Sequence, residues 1–264
     1  MRKWPRRRAI SGLYYFDLTE DVEITRHVQR IAQGPNSAFM QQCGLAPGLI
    51  SIAAHGLTRR FESLETVRMR VGALPQFPTN ALNYNLTWST DGLINEYCKP
   101  CEAIHEGAKI DVLPLQGIEQ FSLDGITYEA FNTSGGLGTL CDTPDGRVDQ
   151  LNYKTVRHPG HCDQMKLLVN DLKLGERREL FKDVLETAIP MTLQDVVLVF
   201  VTVPPPDACW SSGFPSRFSP RSPDDRHSPR RALASTLHRP GRLFRRATRR
   251  RRPASAERLR RSSR

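Results

Sequence analysis

YNLTWSTDGLINEYCKPCEAIHE, residues 84–106, decides how the rest of the chain is read. It opens with apolar and β-forming residues and passes through a polar turn, Trp88-Ser89-Thr90-Asp91-Gly92. It then continues as Leu93, Ile94 and Tyr97 at helical spacing. The segment delivers an indole, two hydroxyls and a carboxylate onto the start of a helix. Free N–H groups and a positive partial charge make such a start suitable for carboxylate ligands. The same residues fit a plain cap, with Ser89 or Thr90 closing the helix and Trp88 in the core.

Upstream, strand and helix alternate. Residues 13–18 read as a buried, aromatic-rich strand. Thr19-Glu20-Asp21 caps a helix that runs to about residue 33, where Gly34-Pro35 stops it. A strand over 37–43, a turn at Gly44-Leu45-Ala46-Pro47-Gly48, a helix over 49–61 and a strand over 66–74 follow. This is the βαβ pattern of a parallel sheet packed by helices. Such sheets bind ligands at the carboxyl ends of their strands, which is where Asp17, Thr19 and Glu20 fall. A dinucleotide site also needs a Gly-x-Gly-x-x-Gly turn, and none precedes these strands; the Gly cluster at 134–138 lies in another context.

Downstream the texture changes. Strands are expected over 110–115, 117–123 and 126–131, with Asp124-Gly125 as a hairpin turn. A Gly-rich loop over 133–139, a turn at Asp145-Gly146, a strand over 148–155 and a polar loop over 157–161 come next. Helices over 162–172 and 177–189 and a strand over 195–203 complete an α+β region.

The net charge of +10 is unevenly placed. Residues 204–264 hold 17 Arg, no Lys and 4 acidic residues, and residues 1–8 hold a further five basic groups. That leaves 16 basic and 24 acidic residues for 9–203, so the folded part is acidic and does not attract phosphate backbones. The tail lacks Ile, Val, Met and Tyr and is expected to be disordered. It reads as an Arg-rich nucleic-acid or membrane arm, or as an out-of-frame translation of GC-rich DNA. Six cysteines are sparse for a disulfide scaffold, and no apolar run approaches the ~18 residues of a membrane span. A cytoplasmic protein is expected.

Several segments together resemble the saccharopine dehydrogenase family, which includes carboxynorspermidine synthases. They are 15–20 (YFDLTE), 44–48 (GLAPG), 70–75 (RVGALP), 84–102, 129–132 (EAFN) with Gly135-Gly136-Leu137, and 154–161 (KTVRHPGH). The resemblance spans roughly 10–203. It implies a remnant of a Rossmann-type parallel sheet joined to an α+β substrate domain. The expected division is 1–12 basic and disordered, 13–74 partial Rossmann-type region, 75–203 substrate and dimerisation domain, and 204–264 disordered tail. It also implies NAD- or NADP-linked reduction of an imine to a secondary amine, or the reverse, in amino-acid or polyamine metabolism. Relatives begin with a Gly-rich turn that is absent from this sequence, so nucleotide affinity is expected to be lost or badly reduced. The family often dimerises through its substrate domain, which implies a homodimer. Ala46, Val71 and Asp91 depart from the glutamate-releasing saccharopine enzymes, which argues against saccharopine itself as substrate.

Imine reduction needs a positioned cofactor and a group that moves a proton. Asp91, Lys154 and His161 are the candidates for proton transfer. Trp88, Ser89, Thr90 and Arg157 are candidates for holding substrate, Arg157 through its bidentate fork. Asp17, Thr19 and Glu20 would face the cofactor. Each also has a structural reading: Asp91 as a helix-start acid, Lys154 on a solvated strand face, His161 as a loop or cap residue. Cys98-x-x-Cys101 with His105 lacks the second ligand pair of a structural zinc site, so no metal is assigned. The alternative function is a non-catalytic binding or assembly protein whose Arg-rich tail recruits nucleic acid.

Overall fold

A computed structural model describes residues 14–33, 38–59, 61, 64–142 and 148–203, together with the backbone of 233–238. The expectations for residues 1–12, for the Asp145-Gly146 turn and for the tail apart from 233–238 lie outside the described residues.

Strand β3 (Leu64–Pro75) is twelve residues long and buried on both faces, which suits the middle of a sheet. It pairs in parallel with β8 (Val148–Arg157), from Leu64 opposite Val148 to Val71 opposite Thr155. On its other edge it pairs antiparallel with β9 (Asp195–Thr202). The backbone of β10 (Leu233–His238) extends β9 antiparallel. The far edge of β8 is shared. Leu151 pairs with Ile104 of β4 (Cys101–His105), and residues 154–157 pair with β7 (Ile126–Asn132). Beyond these lie β5 (Ala108–Val112) and β6 (Glu119–Leu123). The eight-stranded sheet is therefore mostly antiparallel, forked at β8.

Two-residue periodicity sorts its side chains. Val67, Met69 and Val71 of β3 and Leu151 and Tyr153 of β8 face helix α2 (Leu49–Thr58), packing with Ile50, Ala54 and Leu57. Leu74, Val156, Leu198 and Phe200 form the opposite face with Phe121 and Tyr128. A third cluster joins Leu93, Ile94 and Tyr97 of α3 (Thr90–Cys98), Cys162 and Met165 of α4 (His161–Lys166), and Phe181 and Leu185 of α5 (Arg178–Ala188). A π-helical turn, Leu167–Asp171, carries on from α4 where the sequence pattern implies a longer helix.

The first strands form a separate unit. Tyr15 and Phe16 of β1 pair in parallel with Phe39 and Met40 of β2, across helix α1 (Val22–Ile31). Asp21 caps α1 by accepting from the Ile24 amide at 2.9 Å. The expected 13–74 region thus keeps a parallel βαβ pair but contributes its last strand to the larger sheet. After the helix of Leu93, Ile94 and Tyr97 the sequence reading assigns no element over 101–106, where the structure has β4. Lys99-Pro100 ends α3, and Glu106 and Gly107, both at positive φ, turn β4 back into β5. Among the described residues, no helix is long and apolar enough to cross a membrane.

Gly72 lies where β3 meets β8. A Cβ there would sit 2.9 Å from the Val156 Cβ and from the Val156 carbonyl oxygen. Gly72→Ala is expected to cost about 1–3 kcal/mol through overpacking, read as a lower urea midpoint with an unchanged m-value.

Candidate active site

Helix α3 begins at Ser89, whose Oγ accepts from the Gly92 amide at 3.2 Å. Seven and eight residues on, it delivers Glu96 and Tyr97 to the interior, against the end of β8 and the start of α4. There the polar groups form one chain of hydrogen bonds that runs outward from Arg157. A backbone carbonyl only accepts, so the 2.8 Å contact with Leu82 puts a proton on Nδ1 of His161. Nε2 is then an acceptor and takes the Tyr97 hydroxyl proton at 2.9 Å. The Tyr97 oxygen in turn accepts from Arg157 Nε at 3.0 Å, and Arg157 Nη2 donates to Glu96 Oε2 at 3.1 Å. The guanidinium also lies 5.2 Å from the centre of the Tyr84 ring. Glu129 holds the preceding loop by accepting from the amides of Gly160 and Cys162.

Burial and the neighbouring Arg157 push the His161 imidazole down to about 3, so it stays neutral near neutral pH. Burial pushes Glu96 up to about 7, against the pull of Arg157. Burial, then Glu96 and Asp21, push Glu20 up to about 8. Glu20 and Glu96 therefore titrate as a pair of like charges.

Both carboxyls line a cleft of about 340 Å³ between α1, α3 and the Gly-rich loop, with Asn95, Ser134 and Gly135. Asp21 belongs to this cleft and also to a wider open depression over β1 and α1, lined by Tyr15, Asp17, Thr19 and His27. The two hollows adjoin there.

The structure brings Arg157 and His161 together and places Glu20 in the cleft, while Asp17 and Thr19 lie in the neighbouring depression. Asp17 accepts from the Tyr15 hydroxyl and the Thr19 amide. Trp88 is part-buried, donates from Nε1 to the Tyr84 hydroxyl at 3.1 Å, and packs over Gly92. Ser89 is exposed as the cap, and Thr90 is buried. Asp91 is 48 % exposed and ion-paired to Arg178 and Lys182 of α5, which hold it below the usual carboxylate range. Lys154 lies on the face of β8 opposite Arg157, because the two are an odd number of residues apart. It bonds Glu119, which also pairs with buried Arg70. Cys98 ends α3 and Cys101 opens β4, and among the described residues no group of His, Cys, Asp and Glu gathers around a metal position.

Sequence reasoning passed over Glu96, Tyr97 and Glu129 as site residues. One signal was available for the first. Glu96 is an acid set on the apolar face of Leu93, Ile94 and Tyr97, and buried acids are rare without a partner.

Tyr97→Phe removes the hydroxyl that serves both Arg157 and His161. It is expected to cost about 2–4 kcal/mol by urea denaturation, since two buried polar groups lose a partner. The carboxyl pair gives a pH signature. Both glutamates hold their protons more tightly in the folded chain than at the ordinary value of 4.5. Their contribution to stability is full below about that pH and is lost as pH rises through 7 to 8. Glu20→Gln should therefore leave the melting temperature little changed at pH 5 and raise it by roughly 3–6 °C at pH 8.5.

Two solved structures align with part of this chain. Saccharopine dehydrogenase (L-Glu forming) from Saccharomyces cerevisiae, in its apo form, aligns at 14 % identity with a TM-score of 0.48, over 75 % of this chain and 67 % of its own. Homospermidine synthase from Legionella pneumophila, in complex with NAD, aligns at 12 % identity with a TM-score of 0.47. That alignment covers 74 % of this chain and 55 % of the Legionella protein, so this chain spans little more than half of that relative. The family model of the saccharopine dehydrogenase C-terminal domain matches residues 44–247, well over half of the 264 residues, and on that match the chain belongs to this family.

Proposed function

We propose that this chain is the substrate-handling part of an NAD(P)-dependent oxidoreductase that interconverts an imine and a secondary amine. The amine partner is an amino acid or a polyamine-type compound. One observation carries the reading: a carboxyl-lined cleft adjoins the depression at the carboxyl end of parallel strand β1. Amines are cations at neutral pH, and Glu20, Glu96, Glu102 and Asp111 give the cleft the opposite sign. Strand ends of this kind are where α/β sheets take nucleotides. Family membership and the resemblance at 154–161 support the same reading.

The residues present fit the ribose end of a dinucleotide. Asp17 follows β1, and its carboxylate is oriented by Tyr15 and Thr19 with acceptor capacity to spare. Bound there, the nucleotide would supply the hydride. Asp17 would accept from the ribose hydroxyls and disfavour a 2′-phosphate. Arg157 is sealed among Tyr84, Tyr97 and Glu96, so it acts by fixing the Glu96 carboxyl toward the amine. Trp88 and Tyr84 exclude water behind it.

The test is absorbance at 340 nm with the full 264-residue chain and millimolar NADH or NADPH. Oxidation is expected only when a primary amine and an aldehyde are both present, and faster with NADH. Asp17→Ala should raise the nucleotide KM about tenfold with kcat little changed. Failure of either nucleotide to be oxidised in an amine-dependent way overturns the proposal.

A further inference from the structure

Glu20 is expected from sequence to face a cofactor, yet it enters the cleft beside Glu96. It does so through two gaps that only glycines leave. A Cβ on Gly135 would lie 3.3 Å from the Glu20 Cβ, and one on Gly92 would lie 3.0 Å from Glu20 Oε1. Among the described residues the Glu20 carboxyl makes no hydrogen bond and no ion pair. Glu96 is 8 % exposed and gives only Oε2 to Arg157. Its Oε1 has no partner among the described residues, and it is not sealed in as the unpartnered Oε2 of Glu102 is. Two carboxyls thus line one space with unused acceptors.

The surrounding cations do not answer them. Lys99 pairs with Asp21 at the α1 cap. Arg26 of α1 and Lys109 of β5 pair with Glu102 of β4 and with Asp142. Arg157 reaches only the far oxygen of Glu96. Glu23 of α1 and Asp111 of β5 add negative charge, and the Tyr153 hydroxyl of β8 is engaged with Thr155.

We propose that Glu20 and Glu96 form one ammonium-binding pair. Their carboxyls receive the primary ammonium of the substrate, and the ionised member takes one proton from it. The N–H bond breaks with its electrons left on nitrogen, an O–H bond forms on the carboxylate, and the product is a neutral amine able to attack a carbonyl. The pair begins with one proton and ends with two, so charge balances. This assignment names the amine-binding groups within the function proposed above and rests on that reading.

The test is isothermal titration of the full chain with 1,4-diaminobutane, without nucleotide, from pH 6 to 8.5, with 1,4-butanediol as the neutral control. The diamine is expected to bind and the diol is not. Affinity should rise about tenfold over this range as the pair loses its proton. Glu20→Gln removes a side chain that bonds nothing in the fold. It should weaken the diamine about tenfold at pH 8 and move the rise to lower pH, because the group pushed up to about 8 is gone and Glu96, pushed up to about 7 by burial, is the one left to ionise. Equal binding of the diol, no binding of the diamine, or an unchanged affinity profile in Glu20→Gln each overturns the pair. Diamine binding in a chain that never oxidises NAD(P)H would sustain the pair and refute the oxidoreductase.

Discussion

A guanidinium sealed from water at Arg157 is the constraint that the rest of this structure answers to. Removing such a charge from water costs several kcal/mol unless close partners offset it. Its partners come from different places: Glu96 and Tyr97 from α3, the Val156 carbonyl from β8 itself, and the Tyr84 ring from the segment before α3. α3 must therefore dock at one rotation and one height against the end of β8. Once it does, the Tyr97 hydroxyl has a single orientation, and His161 has a single tautomer. The value of the buried pair lies less in stability than in orientation, since donation runs outward from Arg157, to Glu96 on one side and through Tyr97 and His161 to the Leu82 carbonyl on the other.

The forked sheet makes that arrangement possible. Strand β8 runs along β3 for most of its length, then exchanges β4 for β7 on its outer edge. Its alternate residues serve two separate environments. Leu151, Tyr153, Thr155 and Arg157 face the helices and the cleft. Asn152 and Lys154 face Arg70 and Glu119, a second polar cluster with its own satisfied bonds. Close packing of the loop against the cleft depends on glycine. Tyr153 leaves no room for a side chain at 136, and Glu20 leaves little at 135. The Gly-rich loop is thus used for contact between side chains of distant segments.

Much of the element order was legible in the sequence because most of these elements are set locally. Val67, Met69 and Val71 alternate, Asp21 precedes an amphipathic helix, and Asp124-Gly125 separates two β-prone runs. The exceptions have local causes too. Cys101–His105 received no element from the sequence, because Pro100 and Glu106-Gly107 carry only weak turn signals around a short strand. The site was less legible. Asp91 and Lys154 stand in resembling segments, but a helix rotation and a strand parity, neither visible without the fold, turn them to other surfaces.

Sequence by itself determined the parallel start, the α+β continuation, the capped helix after Trp88 and the acidic character of residues 9–203. These follow from periodicity, turn chemistry and composition, which act over a few residues. Only the tertiary structure decided that β3 leaves β1 and β2 for β8 and β9, and that Glu20 meets Glu96 across 76 positions of chain. Pairings of that kind depend on which distant surfaces fit and on how a buried charge finds its partners, and no local pattern encodes either.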